Sequence, residues 1–377
     1  MSVLKVLFLL LLCGCFVTES YSQKEQIIHS LKFLSEFDIP HKMAFKGTTI
    51  GGLSSIDYDK KRNVYYIISD DRSSINPARF YTAKIRISST KIDSVIFTNV
   101  TSLKQADGTV YPNSKQDPYH TPDPEGLRYN AGNNELVWTS EGERIVKPGL
   151  SVLEDPAITI IKENGQFIDT FPLPSNMHMQ AIEKGPRQNG VFEGLAFSGD
   201  YKTLYVNVEE PIYEDGYRAG LGDSTGWIRI IKYNVATKKP VAEYAYKIDA
   251  VPNPPIVPGA FKINGVPDIL WIGQDKFLVT ERSFSTGNLK CVIKVYIADL
   301  SQATNIMDVS SLRSSSHFRP IEKKLLLNMN DLHIYIDNIE GATFGPVLPN
   351  GNRSLLFISD DNFAAFQKTQ ILLFEVK

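Results

Sequence analysis

A short pattern recurs five times along this chain and limits the folds open to it. Each copy opens with an acid–glycine pair on an apolar strand, turns, and ends a second apolar strand in an acid. In the last copy Asn338-Ile339-Glu340-Gly341-Ala342 leads through a turn to Phe357-Ile358-Ser359-Asp360-Asp361. Upstream, Asp123-Pro124-Glu125-Gly126-Leu127 leads to Val137-Trp138-Thr139-Ser140-Glu141, and Phe192-Glu193-Gly194-Leu195 to Tyr205-Val206-Asn207-Val208-Glu209. A weaker copy runs from Pro267-Asp268-Ile269-Leu270 to Leu278-Val279-Thr280-Glu281. The first, Gly51-Gly52-Leu53 leading to Ile67-Ile68-Ser69-Asp70, has Gly51 where the opening acid belongs. Aligned at Gly52, Gly126, Gly194, Ile269 and Gly341, the copies step by 74, 68, 75 and 72 residues.

A near-constant step, filled with short β-branched and aromatic runs between turn residues, predicts a repeated β unit. No stretch carries a sustained helical period. One unit shows four strands, at Leu195–Ser198, Thr203–Val208, Ile228–Tyr233 and Val241–Ile248. Four antiparallel strands per repeat make a propeller blade. The last unit has room for only three, the third at Gln370–Val376. Ser30–Ile39 is expected to supply the fourth, close the ring and remove two open edges. The expectation is an all-β chain folded as one five-bladed β-propeller. Six blades is the alternative, with the extra blade drawn from Ala303–Leu332. A β-sandwich or a pair of small β domains fits the regular step poorly.

Met1–Ser22 reads as a secretory signal. Lys5 supplies the charge, Val6–Leu12 the apolar run, and Ser20-Tyr21-Ser22 a small-x-small cleavage site. The run is too short to span a bilayer, and no other segment is suited to it. Residues 23–377 are then one domain, secreted or periplasmic. Leu12-Cys13-Gly14-Cys15 offers an alternative, a lipoprotein site with Cys15 as the lipid anchor. Without the signal only Cys291 remains, so the mature chain holds no internal disulfide. Cys291 is expected as a small core hydrophobe. Forty Lys and Arg stand against 42 Asp and Glu, and neither excess nor patterning points to nucleic acid or a membrane surface. The expected partner is a small anionic molecule, taken by a monomer.

In an antiparallel hairpin the start of one strand lies beside the end of the next, and the first strand of a blade lines the central channel. The opening acids Glu125, Glu193, Asp268 and Glu340 therefore gather with the closing acids Asp70, Glu141, Glu209, Glu281 and Asp360 at one mouth. The long loops Ser102–Pro124, Pro211–Gly226 and Val251–Pro267 belong to the same face. Like charges ~4 Å apart repel by several kcal/mol at intermediate dielectric. A hard cation offsets that, and Ca²⁺ accepts about six to eight oxygen ligands. Arginine does so too, and Arg72, Arg128, Arg187 and Arg282 stand close to these acids in sequence. Acids at strand ends also tie loops to backbone N–H groups, so an architectural ring stays open. There is no G-x-S-x-G motif, and the six histidines show no metal spacing.

Further motifs are Ser69-Asp70-Asp71-Arg72, Ala78-Arg79-Phe80-Tyr81, Ser140-Glu141-Gly142, Asn189-Gly190-Val191-Phe192-Glu193-Gly194, Glu210-Pro211 with Asp215-Gly216, Thr280-Glu281-Arg282 and Ser359-Asp360-Asp361-Asn362-Phe363. Jointly with those above, they resemble the phytase-like family, whose domain is labelled "esterase-like activity of phytase". The resemblance covers roughly Ile50 to Lys377 and departs at Val191-Phe192, where the family has Gly-Phe. It implies a secreted β-propeller hydrolase, similar to calcium-dependent propeller phytases. Those bind Ca²⁺ with carboxylates at the channel mouth and hold phosphates with Lys and Arg.

The expectation is a Ca²⁺-dependent hydrolase of phosphate or carboxylate esters. Its metal ligands are Asp70, Glu125, Glu141, Glu193, Glu209, Asp268, Glu281, Glu340 and Asp360. Its catalytic carboxylates are Glu193, Glu210, Asp71 and Glu143, the last three as candidate general bases. Arg72, Arg282 and Arg187 are expected to hold the anionic group. Two alternatives stand beside it: a binding propeller whose calcium only stiffens the ring, and a lactonase-like hydrolase. The lack of a His base near the ring disfavours the lactonase.

Overall fold

The computed structural model describes residues 27–222, 226–288 and 290–377. The signal sequence, its cleavage site and Cys15 lie outside them. Among the described residues five four-stranded antiparallel sheets form the blades of a propeller. Blade 1 is Leu53–Asp59, Val64–Ser69, Arg79–Ile87 and Ile92–Ser102. Blade 2 is Pro124–Asn130, Glu135–Ser140, Ala157–Lys162 and Phe167–Thr170. Blade 3 is Phe192–Phe197, Thr203–Val208, Trp227–Asn234 and Pro240–Lys247. Blade 4 is Lys262–Gly273, Lys276–Ser285, Val292–Asp299 and Glu322–Asn328. Blade 5 takes Asn338–Val347, Arg353–Asp360 and Thr369–Val376, and Leu31–Ile39 pairs with the last of these to complete it. The first strand of each blade touches the first strands of both neighbours, so the ring is closed.

The apolar residues that marked the repeat form the seams between blades. Ile68, Phe80, Leu127 and Trp138 fill the seam between blades 1 and 2. Val137, Ile158, Leu195 and Val206 fill the next. Tyr205, Ile230, Ile269 and Val279 join blades 3 and 4. Ile293, Phe344 and Phe357 join blades 4 and 5, and Ile56, Ile67, Leu356 and Ile371 close the circle. Both faces of each sheet are covered, and each large apolar side chain removed from water contributes about 1.5–3 kcal/mol. Cys291, just before a blade 4 strand, is buried and free.

Ala303–Leu332 is not a sixth blade. It supplies the outer strand of blade 4 and a strap whose backbone N–H groups at Ile306 and Ile321 donate to Glu243 and Ala245 on the outer strand of blade 3. The strap's polar backbone is satisfied there, which leaves it nothing with which to build a sheet of its own.

Candidate functional site

The register of the inner hairpins decides which side chains meet at the mouth. The innermost apolar pairs are Ile56 with Ile67, Leu127 with Trp138, Leu195 with Val206, Ile269 with Val279 and Ala342 with Phe357. Two residues before the first member stand Ser54, Glu125, Glu193, Pro267 and Glu340. Three after the second stand Asp70, Glu141, Glu209, Arg282 and Asp360. The backbone agrees: Asp70, Glu141 and Glu209 donate their N–H groups to Gly52, Asp123 and Val191, while Arg282 pairs with Gly265 and Asp360 with Asn338. Each first strand carries an irregularity here, which turns the opening residue toward the mouth.

This corrects two expected ligands and the vacancy at Gly51. Ser54, not Gly51, holds the opening place of blade 1. In blade 4 the register is one residue away from the one expected, and a one-residue shift moves a strand side chain to the opposite face. Glu281 faces away from the mouth. It accepts hydrogen bonds from Tyr246 Oη at 2.8 Å, Asn264 Nδ2 at 2.8 Å and the Asp249 N–H at 2.9 Å, and pairs with Lys323. Asp268 takes the place that is glycine in blades 2, 3 and 5. Its oxygens are both held by Arg128 Nη2 at 2.8 Å, and one also accepts the Ala342 N–H at 2.7 Å. The glycines are needed because inner strands nearly touch: a Cβ at Gly126 would stand 2.3 Å from the Glu193 carbonyl oxygen, and one at Gly194 would stand 2.6 Å from Asp268 Cα.

Blades 2 and 3 bring the densest cluster together. One oxygen from each of Asp123, Glu125 and Glu141 lies within 4.8 Å of the others, and the same holds for Glu141, Glu193 and Glu209. Glu141 is common to both groups and also accepts the N–H groups of Gly190 and Val191. Burial, and then the neighbouring carboxylates, push these acids upward: Glu141 to about 8, with Asp123 and Glu209 beside it. Glu193 and Glu125 are held well above the usual range for the same reasons. Asp123 rises to about 6 through burial, with Arg72 pulling the other way. On the far side of the mouth Glu340 is pushed to about 8 by burial and Asp360, and Asp360 to about 7, chiefly by burial. Asp70 is held well above its ordinary value by burial, Asp360 and Glu340.

The arginines divide. Arg282 Nη2 lies 3.0 Å from Glu209 and 3.4 Å from Glu340, inside the ring. Arg72 sits at its edge, 2.9 Å from Glu143 and 3.4 Å from Asp123. Arg187 does not reach it. It donates to the Pro211 and Gly216 carbonyls at 2.8 and 2.7 Å and stacks on Tyr213, fixing a mouth loop. Asp71 is equally committed: it accepts the N–H groups of Ser74, Ile75 and Asn76 and pairs with Arg79 at 2.7 Å, so it has no oxygen left to act as a base. Glu210 is buried and paired with Arg218.

Three participants escaped the sequence reading. Asp123, two residues before Glu125, joins the cluster because the Glu141 N–H binds its carbonyl and draws it to the mouth. Arg218 reaches Glu210 from the loop after blade 3's second strand. His41 places Nδ1 3.1 Å from Asp361, which also accepts the Gly52 N–H at 3.0 Å. Asp361 stands one position past the closing acid Asp360, as Asp71 does in blade 1, and it also accepts the Phe363 N–H at 3.1 Å.

The family described as "Phytase-like: Esterase-like activity of phytase" matches residues 48–363. No curated protein matches the chain. Solved structures similar to it include the endo-arabinase of Bacteroides thetaiotaomicron VPI-5482, at 12% identity, covering 89% of this chain and 96% of that one with a TM-score of 0.42. The xylan β-1,4-xylosidase of Bacillus halodurans C-125 is 12% identical over 86% of this chain and 53% of that one, with a TM-score of 0.43. The α-L-arabinanase of Cellvibrio cellulosa is 9% identical over 86% and 91%, with a TM-score of 0.42.

Proposed function

The chain belongs to the phytase-like family, and on that premise we propose that its propeller mouth is the metal-binding centre of a hydrolase of phosphate or carboxylate esters. The supporting observation is a pair of carboxylate groups at ligand-bridging distance, Asp123 with Glu125 and Glu141, and Glu141 with Glu193 and Glu209, joined through Glu141. Four of these five acids are buried, and Glu125 is half-buried. The donors are all carboxylate oxygens, with no thiolate or imidazole among them. That set suits a hard cation, Ca²⁺ above the softer transition metals. These five would hold the ion, and the raised proton affinities of Asp123, Glu125, Glu141 and Glu193 mark the charge it would neutralise. When bound, such an ion polarises an ester oxygen and lowers the pKa of a coordinated water.

The chain's own groups supply the rest. Arg282 and Arg72 lie where a guanidinium can face a phosphate or carboxylate group on the substrate. Glu143 and Glu210, each held beside an arginine, are the acids placed to accept a proton. Asp268, Glu281, Asp71 and Arg187 take no part, since the protein itself uses their polar atoms. Their commitment favours the scaffold reading for those four positions.

We take the mature protein to be a single exported domain, residues 23–377, acting as a monomer. No helix among the described residues is long and apolar enough to cross a membrane. The test is thermal melting of the purified mature chain in EGTA and in excess Ca²⁺, followed by a phosphate-ester, carboxylate-ester and lactone screen. A rise of many degrees together with calcium-dependent turnover is expected. No shift and no turnover overturns the proposal, and a shift without turnover leaves only the binding propeller.

A further inference from the structure

Four blades end the second strand with an acid at the mouth, and blade 4 ends it with Arg282. Blade 4 is also the one that opens with a proline, Pro267, so its whole contribution to the ring is one cation and no carboxylate. The guanidinium lies between the closing acid of blade 3 and the opening acid of blade 5, at 3.0 Å from Glu209 and 3.4 Å from Glu340. Room for this is built in. Glu209 lies over Gly265, the backbone partner of Arg282, where a Cβ would come within 2.4 Å of Glu209 Oε1.

We infer that Arg282 is a resident cation that fills the blade 4 sector of the ring and thereby restricts the mouth to one divalent ion, held in the sector of blades 2 and 3. This rests on the metal reading above and adds to it a count and the residue that sets the count. The ion pairs of the mouth leave the middle of the blade 2 and 3 cluster uncovered. Arg282 serves Glu209 and Glu340, and Arg72 serves Asp123 at the rim. Among the described residues no lysine or arginine pairs with Glu125, Glu141 or Glu193, which are left to an ion from solution. Glu209 belongs to both sectors. It bridges the guanidinium to the carboxylate cluster, so occupancy of one sector is felt by the other.

A guanidinium differs from a divalent ion in ways that matter here. It is tethered, carries one charge rather than two, and spans two carboxylates with a planar fork instead of gathering six or more oxygens. Removing it uncovers Glu209, Glu340 and Asp360 together, an all-oxygen set from blades 3 and 5. Replacing it with an acid restores at blade 4 what the other four blades have, and leaves the sector with no cation of its own.

The test counts ions. Calcium-stripped mature protein is titrated with CaCl₂ calorimetrically, and bound calcium per chain is measured by atomic emission after dialysis, for wild type, R282K, R282Q and R282E. The expected counts are one for wild type and R282K, and two for R282Q and R282E. One ion in all four, or two in R282K, overturns the inference. If R282Q folds only when calcium is present, as judged by melting with and without EGTA, an ion has replaced the guanidinium and the inference stands. If R282Q folds in neither condition while R282K folds in both, divalent ions cannot take the sector and the inference falls. A wild type that binds no calcium sinks the metal reading itself, whereas one ion bound by wild type and by R282Q sinks only the role given to Arg282.

Discussion

Arg128 holds both carboxylate oxygens of Asp268 at 2.8 Å across the axis of the propeller, from blade 2 to blade 4. The same guanidinium donates to Ser55 Oγ and the Ile56 carbonyl in blade 1 and to the Ala342 carbonyl in blade 5. Four of the five blades thus meet on one side chain, directly beneath the acidic mouth. Both partners are buried, at 3% and 2% exposure, which decides the energetics.

Breaking a buried pair by removing one partner costs about 3–5 kcal/mol, because a charge is left without compensation. Arg128→Met is expected to lose that much in urea denaturation. The double change Arg128→Met with Asp268→Leu should recover a good part of it. A single-variant loss below about 1 kcal/mol would show that solvent reaches Asp268 and that the axis is not sealed.

Glu209→Gln and Glu281→Gln separate the two candidate registers of blade 4. The first is expected to weaken calcium binding at least tenfold, which is about 1.4 kcal/mol. The second should leave calcium affinity within about twofold and instead lower stability by about 1–3 kcal/mol, since it strips the charge that Lys323 and Tyr246 face. Calorimetric titration of both proteins checks this, and the reverse pattern would place Glu281 in the mouth.

The pH dependence of the calcium-free protein follows from carboxyls whose proton affinity is raised by folding. Glu340 and Glu141 rise to about 8 and Asp360 to about 7, each chiefly through burial. A group raised in this way binds its proton more tightly folded than unfolded, so its stabilisation is complete below the ordinary carboxylate range and is lost as pH climbs through 7 and 8. Melting in EGTA should therefore fall steadily from pH 5 to pH 8.5. Excess calcium should flatten the curve, since ligation favours the ionised forms. A calcium-free melting temperature that rises over the same interval would contradict the burial of these acids.

Gly194→Ala tests the closeness of the inner strands. The added methyl would meet Asp268 Cα at 2.6 Å and Asn207 Oδ1 at 2.7 Å, and the first of these is backbone that cannot step aside. Overpacking of this kind costs about 1–3 kcal/mol. The loss should appear in chemical denaturation without any change in net charge, and a neutral result would mean that the blades stand further apart.

The acid–glycine pair was legible because it answers two needs at once, a carboxylate at the mouth and a bare backbone where inner strands touch. Blades 2, 3 and 5 keep both, with Glu125, Glu193 and Glu340 in the opening place. Blade 4 keeps neither: Asp268 replaces the glycine and Pro267 the acid, so an alignment led by acids lies one position off there and puts Glu281 where Arg282 stands. A better guide lies three residues past the glycine position, which is Ser55 in blade 1 and Asp268 in blade 4, where every blade has an aromatic, namely Tyr58, Tyr129, Phe197, Trp271 and Phe344. Those rings are set by the seams between blades and fix the register independently of any acid. His41 and Asp361 were out of reach for a different reason. They meet only because the ring closes, and nothing local in either stretch announces the other.

Leu31 pairs with Val376, and the pairing runs on to Ile39 and Thr369 with one bulge between Phe33 and Ser35. During synthesis the closing strand is made before the other strands of the five blades, and it must wait for the last strand of blade 5 before it has a partner. The entropy of so long a closure grows only logarithmically with loop length, so the clasp is slow to form more than it is weak. Until it forms, one strand edge at each end of an unclosed ring can pair with another chain as readily as with its own. Yield on refolding thus becomes a race between a step that ignores protein concentration and one that scales with it. Dilution should favour the closed ring.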